Sequence, residues 1–440
     1  MSEITVIGAG LAGCEAAWQA ARRGVFVKLY EMKPQKYTPA HRSEKFAELV
    51  CSNSLRAAGL ANAIGLLKEE MRRCGSLIME AADATRVPAG GALAVDRELF
   101  SQYITDKIRN SEFIECVSEE RSSVGDGITV IATGPLTSEP MAKYIESLGG
   151  KGLHFFDAAA PIVDFSSVNM ERAFFASRYG KGDADYINCP MTEDEYRAFY
   201  EALISAEVAP LHDFDRESQE NAKDLTVFEG CMPVEVMAAR GYDTLRYGPL
   251  KPVGIIDPKT GKEPYAVVQL RKENNEGTMY NLVGFQTHLT YSEQKRVFGL
   301  IPGLESAEYM RFGTMHRNTY LDSPGFLDDT YAVKDRPNVF FAGQMTGVEG
   351  YVESAGSGLV AGVNAARLAL GKEKLVFPKR TMLGAMANYV SNGSIGRFTP
   401  MNANFGIVEP LGYRVKGGKA AKNEAISQRA LEELSQLEER

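Results

Sequence analysis

The sequence is poor in the features that mark membrane, metal-binding and disulfide-rich proteins. Its 440 residues include one tryptophan, five histidines and six cysteines. No apolar run reaches the ~18 residues that a membrane-spanning helix requires, which predicts no membrane association. The first residues lack the basic leader of a signal peptide. The cysteines show neither CxxC pairs nor metal-ligand spacing, so we expect reduced thiols in a cytoplasmic protein without a metal site.

Basic residues are also in the minority. The 49 Lys and Arg residues against 57 Asp and Glu residues give a formal net charge of −8. This charge argues mildly against a nucleic-acid partner, but it does not exclude a local basic surface. Residues 379–429 contain eight Lys and Arg side chains against two Glu. This run is either a solvated surface or a phosphate-binding surface, for which Lys416, Lys419 and Lys422 are the candidates.

The sequence does contain a dinucleotide-binding pattern near its N-terminus. An apolar strand at 4–7 leads into a GxGxxG turn, a small-residue helix over 14–24 and a second apolar strand at 25–31. The first glycine permits a tight turn, the second lets the backbone approach a pyrophosphate, and the third lets the helix pack close to the strand. The predicted diphosphate-binding residues are Gly8, Ala9, Gly10, Leu11, Ala12 and Gly13.

Glu31 closes this pattern at the end of the second strand. An acid at this place is predicted to accept hydrogen bonds from an adenosine ribose. Because a carboxylate repels a 2′-phosphate, we expect the tightly bound ligand to be FAD or NAD rather than NADP. The whole pattern is much more specific than an isolated GxGxxG. No second GxGxxG is visible, so we expect no second tightly bound nicotinamide nucleotide.

Later segments complete a flavoprotein pattern. Asp96 is a predicted N-cap for a helix over 97–110, which an apolar strand follows at 113–117. Buried strands are predicted at 128–134 and 338–344. The second of these strands ends at Gly343 and Gln344, before a glycine-rich turn and a small-residue helix over 360–370. These segments resemble those that contact the ribityl and phosphate groups of FAD in two-dinucleotide flavoproteins, which usually carry Asp where this chain has Gln344.

The predicted fold class is therefore α/β. It comprises a Rossmann-like FAD-binding domain of the two-dinucleotide flavoprotein type, split by an inserted α/β domain. Residues 1–150 and 326–375 are assigned to the FAD-binding domain, and residues 151–325 to the inserted domain. Residues 376–440 are expected to form a basic, helical C-terminal segment packed on the FAD-binding domain, with a helix over 423–439.

Two cysteines stand out by their local sequence. Cys51 is followed by Ser52-Asn53-Ser54, residue types that favour turns and helix N-caps. A thiol at a helix N-terminus has a lowered pKa and more thiolate character. Cys231 lies between Gly230 and Pro233 in a constrained turn. Without further information, an inert buried thiol is the more common interpretation for each cysteine, and the other four cysteines keep it.

Several segments together resemble one protein family. They are the glycine turn, Cys51-Ser52-Asn53-Ser54, and the segments FEGCMP at 228–233, MHRNTY at 315–320, VEGYVES at 348–354 and NANFG at 402–406. From end to end, the chain resembles the folate- and FAD-dependent tRNA (uracil-5-)-methyltransferase family, TrmFO. The related glucose-inhibited division protein A family, which modifies the tRNA wobble uridine, shares the glycine turns. The paired segments around Cys51 and Cys231 separate the two families.

The resemblance implies a reaction and the residues that perform it. NADPH or NADH reduces FAD, and methylenetetrahydrofolate supplies the methyl carbon for carbon 5 of uridine 54 in the tRNA T-loop. Cys231 is implied as the nucleophile and Cys51 as the base or a second reacting thiol, although the two roles stay open to exchange. Tyr351 is expected to stack on the base or the pterin, or to pack its turn. His316 and Arg317 are expected to contact phosphate or the folate tail, or to form a core ion pair.

Other functions remain open from the sequence alone. They are a wobble-uridine flavoprotein, a plain FAD oxidoreductase acting on a small molecule, and a non-catalytic flavin-binding RNA chaperone. The same uracil chemistry directed at ribosomal RNA is a further possibility. The expected partners are the tRNA T-arm and the small folate and nicotinamide co-substrates, with no stable protein partner implied.

Overall fold

The computed structural model describes residues 2–38, 40–150, 152–180, 183–209, 232–392 and 398–437. The side chains of residues 152–158 and 315–318, which belong to the strands β8 and β15 defined below, lie outside this description. Within the described ranges, no helix is both long enough and apolar enough to cross a membrane.

The strands are numbered in chain order. They are β1 (Glu3–Ile7), β2 (Phe26–Glu31), β3 (Ser54–Ala57), β4 (Arg86–Val87), β5 (Ala92–Val95), β6 (Ile114–Ser118), β7 (Ile128–Ile131), β8 (Gly152–Ala158), β9 (Ile162–Asp164), β10 (Phe174–Ala176), β11 (Tyr186–Met191), β12 (Ala266–Lys272), β13 (Met279–Leu282), β14 (Tyr309–Arg311), β15 (Met315–Leu321), β16 (Ala332–Val333) and β17 (Arg336–Phe341).

The helices are numbered in the same way. They are α1 (Leu11–Ala21), α2 (Ala63–Arg73), α3 (Leu77–Ala84), α4 (Arg97–Arg109), α5 (Glu139–Ser147), α6 (Glu193–Ile204), α7 (Val234–Ala239), α8 (Thr244–Tyr247), α9 (Tyr291–Phe298), α10 (Tyr351–Ala369), α11 (Met382–Asn392) and α12 (Gly418–Ser435). As predicted, Asp96 caps α4, where its carboxylate accepts the N–H groups of Glu98 and Leu99.

A mainly parallel sheet forms the first layer of the fold, with the strand order β16-β17-β7-β1-β2-β6. Strand β1 pairs in parallel with β2 and with β7. Strand β17, from far along the chain, adds in parallel to β7, with Val339 opposite Thr129. Helices cover both faces of such sheets, so the strands are nearly continuous apolar runs. The prediction that the dinucleotide fold is split, with its last parallel strand supplied from near residue 335, is confirmed.

A second sheet is built from the chain between these halves. Its order is β10-β11-β12-β13-β9-β14, and its pairs are antiparallel. It has its own apolar core, which includes Val268, Leu282 and Phe285. Strands β8 and β15 carry the chain into and out of this unit and pair with each other, Ala158 opposite Met315. The α/β fold class with an inserted unit, predicted from the sequence, is confirmed.

Helices α1 and α10 pack with their backbones nearly in contact. A Cβ atom added to Gly358 would approach the carbonyl oxygen of Ala12 closer than 3.0 Å, and one added to Gly362 would approach that of Ala16 in the same way. Only glycine permits this separation, because any side chain would have to push the helices apart. The 348–370 segment is therefore held directly over the helix that follows the dinucleotide turn.

This packing corrects one sequence prediction. The helix expected over 360–370 begins at Tyr351, because Gly356 and Gly358 lie inside the helix rather than in the turn before it. Glycine is a poor helix former in isolation. Here it stays helical because the close contact with α1 needs a residue without a side chain. The preceding turn is made by Gly343, Gly347 and Gly350, which all have positive φ.

Replacing Gly358 by alanine is expected to lower the free energy of unfolding by about 1–3 kcal/mol, the usual cost of overpacking a core. Equilibrium urea denaturation measures this difference. The matched control is Gly127→Ala, because a Cβ at that position meets no atom within 4 Å. The control is expected to unfold with wild-type stability. Wild-type stability in Gly358→Ala would contradict the close packing of α1 on α10.

Candidate active site

One large cavity lies where the two units of the fold meet. It has a volume of about 440 Å³, within the ~300–1,000 Å³ typical of ligand and cofactor pockets. The glycine turn, the end of β2, the loop around Cys51 and the turn before α10 line it on one side. Residues of the inserted unit line the other side, among them Arg271, Asn281 and Gln286. Several segments that the sequence singled out therefore share one cavity.

Glycine is needed at the three glycine positions of the turn for different physical reasons. A Cβ on Gly8 would approach the carbonyl oxygen of Ala132 closer than 3.0 Å, and a Cβ on Gly13 would collide with the carbonyl of Gly8. A Cβ on Gly10 meets no protein atom within 4 Å, although Gly10 lines the cavity. The fold therefore needs Gly8 and Gly13. At Gly10, a side chain would instead occupy space that a ligand can use.

Glu31 lies at the rim of this turn. Its Oε2 accepts the N–H of Ala9 at 2.8 Å, and its Oε1 accepts the N–H of Lys33 at 3.1 Å. Each carboxylate oxygen has a further lone pair for a hydroxyl donor. The turn, the N-terminus of α1 and this acid therefore fit the diphosphate and ribose of a dinucleotide.

The turn before α10 faces the same cavity. Gly343 has φ +88° and its N–H donates to Ser357 Oγ at 2.7 Å. Gln344 donates from Nε2 to Glu349 Oε2 at 2.5 Å. The amide of Gln344 is thus held by Glu349, and the Gly343 backbone lies beside Ala12 of α1.

Cys51 and Tyr351 meet in the cavity wall. The Tyr351 hydroxyl oxygen accepts the N–H of Cys51 at 2.7 Å and that of Ser52 at 3.3 Å, and it lies 2.8 Å from Cys51 Sγ. Burial, and then the nearby Cys51 thiol, raise the pKa of Tyr351 well above its usual value. The tyrosine therefore keeps its proton at neutral pH. Its oxygen accepts two N–H groups and lies within hydrogen-bond distance of the sulfur, where either atom could be the donor.

The surroundings of Cys51 correct the expectation of a helix N-terminus. The chain after Cys51 enters strand β3. Asn53 Nδ2 donates to the carbonyls of Val95 and Lys272, and Ser52 Oγ accepts from Arg271 at 2.7 Å. Ser52 and Asn53 thus bind the inserted unit instead of capping a helix. The thiol lies beside the Tyr351 hydroxyl and near the guanidinium groups of Arg97 and Arg311 rather than at a helix N-terminus.

Sequence reasoning missed several cavity residues. His41 lines the cavity and its Nδ1 lies 2.6 Å from Thr38 Oγ1. Burial, and then the charge of Lys33, lower the pKa of His41 to about 4, so the ring is neutral at pH 7. Arg271 and Asn281 were missed because they lie within ordinary strand sequence of the inserted unit. Their position at the cavity follows only from the pairing of β12 with β13.

Some predicted residues lie outside the described part of the structure. They are Cys231 itself and the side chains of His316 and Arg317, whose backbone belongs to β15. The described chain resumes at Met232, and the N–H of Val234 donates at 2.7 Å to the carbonyl of the cavity residue Gln286. Glu235 then ties α7 to the same segment through Thr287 and the N–H of His288.

The basic C-terminal run divides into two parts. Arg380 pairs with Glu409 and Glu433 at 2.8 and 2.9 Å, so its charge is locally compensated. Lys416, Lys419 and Lys422 are exposed at the start of α12. This helix is attached to the turn before α2, because Asn423 and Ser427 donate to the carbonyls of Ala61 and Leu60.

The chain is similar to two groups of named proteins. The family model described as glucose inhibited division protein A matches residues 3–373. A relative from Acetivibrio thermocellus, named methylenetetrahydrofolate–tRNA-(uracil-5-)-methyltransferase TrmFO, is 61% identical over 435 residues, covering 98% of each chain. A relative of the same name from Lacticaseibacillus paracasei is 58% identical over 436 residues, covering 99% of this chain and 97% of the relative.

A solved structure shares the fold. Aquifex aeolicus GidA, in its form II crystal, aligns with a TM-score of 0.71 and 18% sequence identity, covering 99% of this chain and 74% of that chain. At this identity the likeness concerns the fold alone.

The geometry at Gly10 yields a direct test. Purified wild-type protein is expected to be yellow with bound FAD, and Gly10→Val to be colourless or weakly coloured, because the side chain fills the diphosphate space. Gly10 has φ −76° and ψ −172°, which valine adopts without strain. The flavin-to-protein absorbance ratio measures occupancy, and circular dichroism melting checks the fold. The matched control, Gly127→Val, is expected to stay yellow. Full flavin occupancy in Gly10→Val would contradict the cofactor placement.

Proposed function

This chain belongs to the TrmFO family of methylenetetrahydrofolate–tRNA-(uracil-5-)-methyltransferases, within the wider glucose inhibited division protein A family, and we propose that it methylates carbon 5 of a uracil in tRNA. The methyl carbon comes from methylenetetrahydrofolate. The observation that carries the proposal is that Cys51 shares one cavity with the dinucleotide turn. A reactive thiol and a redox cofactor site in one cavity are what this reaction requires.

FAD is the cofactor that this cavity accommodates. The turn 8–13 would hold the diphosphate and Glu31 the adenosine ribose, while Gly343 and Gln344 would contact the ribityl end. Bound FAD supplies the electron-transfer chemistry that turns a one-carbon unit into a methyl group. The protein's part is to bind it, to exclude water from the cavity and to position the thiols.

The uracil ring needs activation because its carbon 5 is a poor nucleophile. A thiolate that adds to carbon 6 turns the ring into an enolate whose carbon 5 is nucleophilic. A base must then remove the proton from carbon 5. We assign Cys231 as the nucleophile and Cys51 as the base. A uridine held in a folded loop has to be extruded into the cavity for this chemistry.

The contact between Cys51 and Tyr351 supports a thiolate at Cys51. Two backbone N–H groups occupy the lone pairs of the tyrosine oxygen, so the hydroxyl proton is available to sulfur. A hydrogen bond donated to the charged form of a group favours that form. Because the pKa of Tyr351 is raised well above its usual value, the tyrosine donates this bond without losing its own proton. Cys51 is thereby suited to accept a proton.

The finer parts of the proposal follow the family resemblance. We take uridine 54 of the T-loop as the target and NADPH or NADH as the reductant. Lys416, Lys419 and Lys422 are assigned as phosphate contacts, since all three are exposed and lie just before α12 or in its first turns. We expect Tyr351 to contact the base or the pterin.

The proposed reaction has a direct assay. Transfer RNA that lacks ribothymidine is expected to gain a labelled methyl group from methylenetetrahydrofolate in the presence of NADPH, and none from S-adenosylmethionine. Mass spectrometry of the digested RNA locates the modified nucleotide. Methylation of the wobble uridine or of ribosomal RNA would change the proposed target and leave the proposed chemistry standing. No methylation of any RNA would refute it.

The same assay tests the cysteine pair. Cys231→Ala is expected to keep bound FAD and NADPH oxidation but to lose methyl transfer, because only uracil activation needs the thiolate. Cys51→Ala is expected to lose turnover and to accumulate a denaturation-stable RNA adduct, because the nucleophile remains while proton removal stalls. The matched control is Cys116→Ala, which removes an exposed thiol on β6.

The outcome also separates the two roles. An adduct in Cys231→Ala and none in Cys51→Ala would exchange the nucleophile and the base. Wild-type turnover in either variant would remove that cysteine from the mechanism. Loss of turnover in Cys116→Ala would mean that the assay responds to thiol loss in general.

A further inference from the structure

Two polar side chains of the inserted unit project into the cavity from neighbouring strands. Arg271 on β12 lies directly opposite Asn281 on β13 in the antiparallel ladder. Both residues line the cavity, and they are only 8% and 3% exposed. Opposed residues on adjacent strands present their side chains on the same face of a sheet. The guanidinium and the amide therefore belong to one small region of the cavity wall.

Both side chains have hydrogen-bonding capacity that their neighbours leave unused. Arg271 donates from Nε to Asn53 Oδ1 at 3.1 Å and from Nη2 to Ser52 Oγ at 2.7 Å. Both acceptors are neutral, and within the described ranges this guanidinium has no carboxylate partner. The buried Arg97, in contrast, pairs with Glu273 at 2.9 Å. The Nδ2 of Asn281 is buried and has no hydrogen-bond partner in the described part of the chain.

Buried charges and amides normally have hydrogen-bond partners. The unused donors of Arg271 and Asn281 are therefore organised for an acceptor that a ligand supplies. A guanidinium only donates, whereas an amide both donates and accepts. Side by side they fit the edge of a cyclic amide. Its carbonyl oxygen would accept from Arg271 and from Asn281 Nδ2, and its ring N–H would donate to Asn281 Oδ1.

We propose that Arg271 and Asn281 bind the O4 and N3 edge of the target uracil and select it over cytosine. This assignment rests on the proposed function. Its position favours the uracil, because Arg271 holds Ser52 and Asn53, the residues directly after the proposed base Cys51. Carbon 4, which carries O4, is bonded to carbon 5, where that base acts. In cytosine an amino group replaces O4, and it would place a donor against a guanidinium that cannot accept.

The same contacts stabilise the activated ring. When a thiolate forms a bond to carbon 6, the π electrons of the C5–C6 bond shift towards C4 and leave negative charge on O4. The charge of Arg271 and the amide of Asn281 then stabilise this enolate. Carbon 5 bonds to the one-carbon unit and gives its proton to the base. The enolate then expels the sulfur from carbon 6 as a thiolate, which restores the ring double bond. The bond between the one-carbon unit and the nitrogen that carried it breaks, and a hydride from the reductant of the proposed reaction takes its place, which completes the methyl group.

The test measures covalent adduct formation with a T-arm RNA hairpin that carries 5-fluorouridine or 5-fluorocytidine at the target position. Arg271→Met is expected to form the 5-fluorouridine adduct about 10²- to 10³-fold more slowly, the usual loss for one oxyanion donor. Asn281→Leu and the isosteric Asn281→Asp are expected to narrow the preference for fluorouridine over fluorocytidine by roughly 10- to 100-fold. Lys272→Met, which removes a neighbouring cation of the same strand that does not line the cavity, is the matched control.

Two further measurements distinguish the uracil from the other cyclic amides. The flavin absorption spectrum of the variants and their dissociation constant for tetrahydrofolate are both expected to match those of the wild-type holoenzyme. A shifted flavin spectrum would assign the pair to the flavin ring, and a weakened tetrahydrofolate affinity would assign it to the pterin; either result overturns the uracil assignment. Retained flavin shows that each variant is folded. If Asn281→Leu does not fold, Asn281→Asp tests the same position.

The remaining outcomes separate this inference from the proposed function. Wild-type adduct rates and wild-type selectivity in all three variants would overturn the inference and leave the methyltransferase proposal standing. A wild-type enzyme that forms no adduct and transfers no methyl group would overturn both. Slower adduct formation in Lys272→Met would mean that the effect reflects loss of positive charge in general, which also overturns the inference.

Discussion

The close contact between helices α1 and α10 is the constraint on which the rest of the structure depends. Gly358 and Gly362 let the backbone of α10 lie against Ala12 and Ala16 on the helix that begins at the dinucleotide turn. Close-packed interiors transmit such constraints rigidly. Since α10 starts at Tyr351, its position on α1 also fixes where the tyrosine hydroxyl lies. One glycine-mediated contact therefore sets the geometry of both the cofactor turn and the thiol beside it.

The loop around Cys51 is held by groups from three distant parts of the chain. Tyr351, from the C-terminal part of the chain, contacts the Cys51 thiol and accepts the N–H of Cys51. Arg271, from the inserted unit, binds Ser52. Arg97 pairs with Glu273 and donates to the carbonyl of Leu49. These contacts restrict the conformations that the loop can adopt. The two units of the fold thus build the reactive position jointly, which gives a physical reason for inserting one domain into the other.

The sequence was most informative where chemistry is local. The turn 8–13, Glu31 and the cap at Asp96 were predicted from nearest-neighbour patterns, because a tight turn, a ribose acceptor and a helix cap each depend on a few adjacent residues. The family was also predicted, and it is confirmed by relatives that are 61% and 58% identical. Errors arose where distant segments override local preference. The start of α10 was misplaced because its glycines are explained only by α1, and Cys51 was given a helix N-terminus that the structure replaces with a strand.

The sequence by itself therefore determined the fold class, the dinucleotide turn and the family. These rest on short-range spacing and on residue types that few other structures require. Only the tertiary structure decided that the Tyr351 hydroxyl lies against the Cys51 thiol, that His41 is a neutral ring in the cavity, and that Arg271 and Asn281 face the same space. The reason is that contact between residues hundreds of positions apart depends on strand register and helix separation, and no single stretch of sequence encodes either.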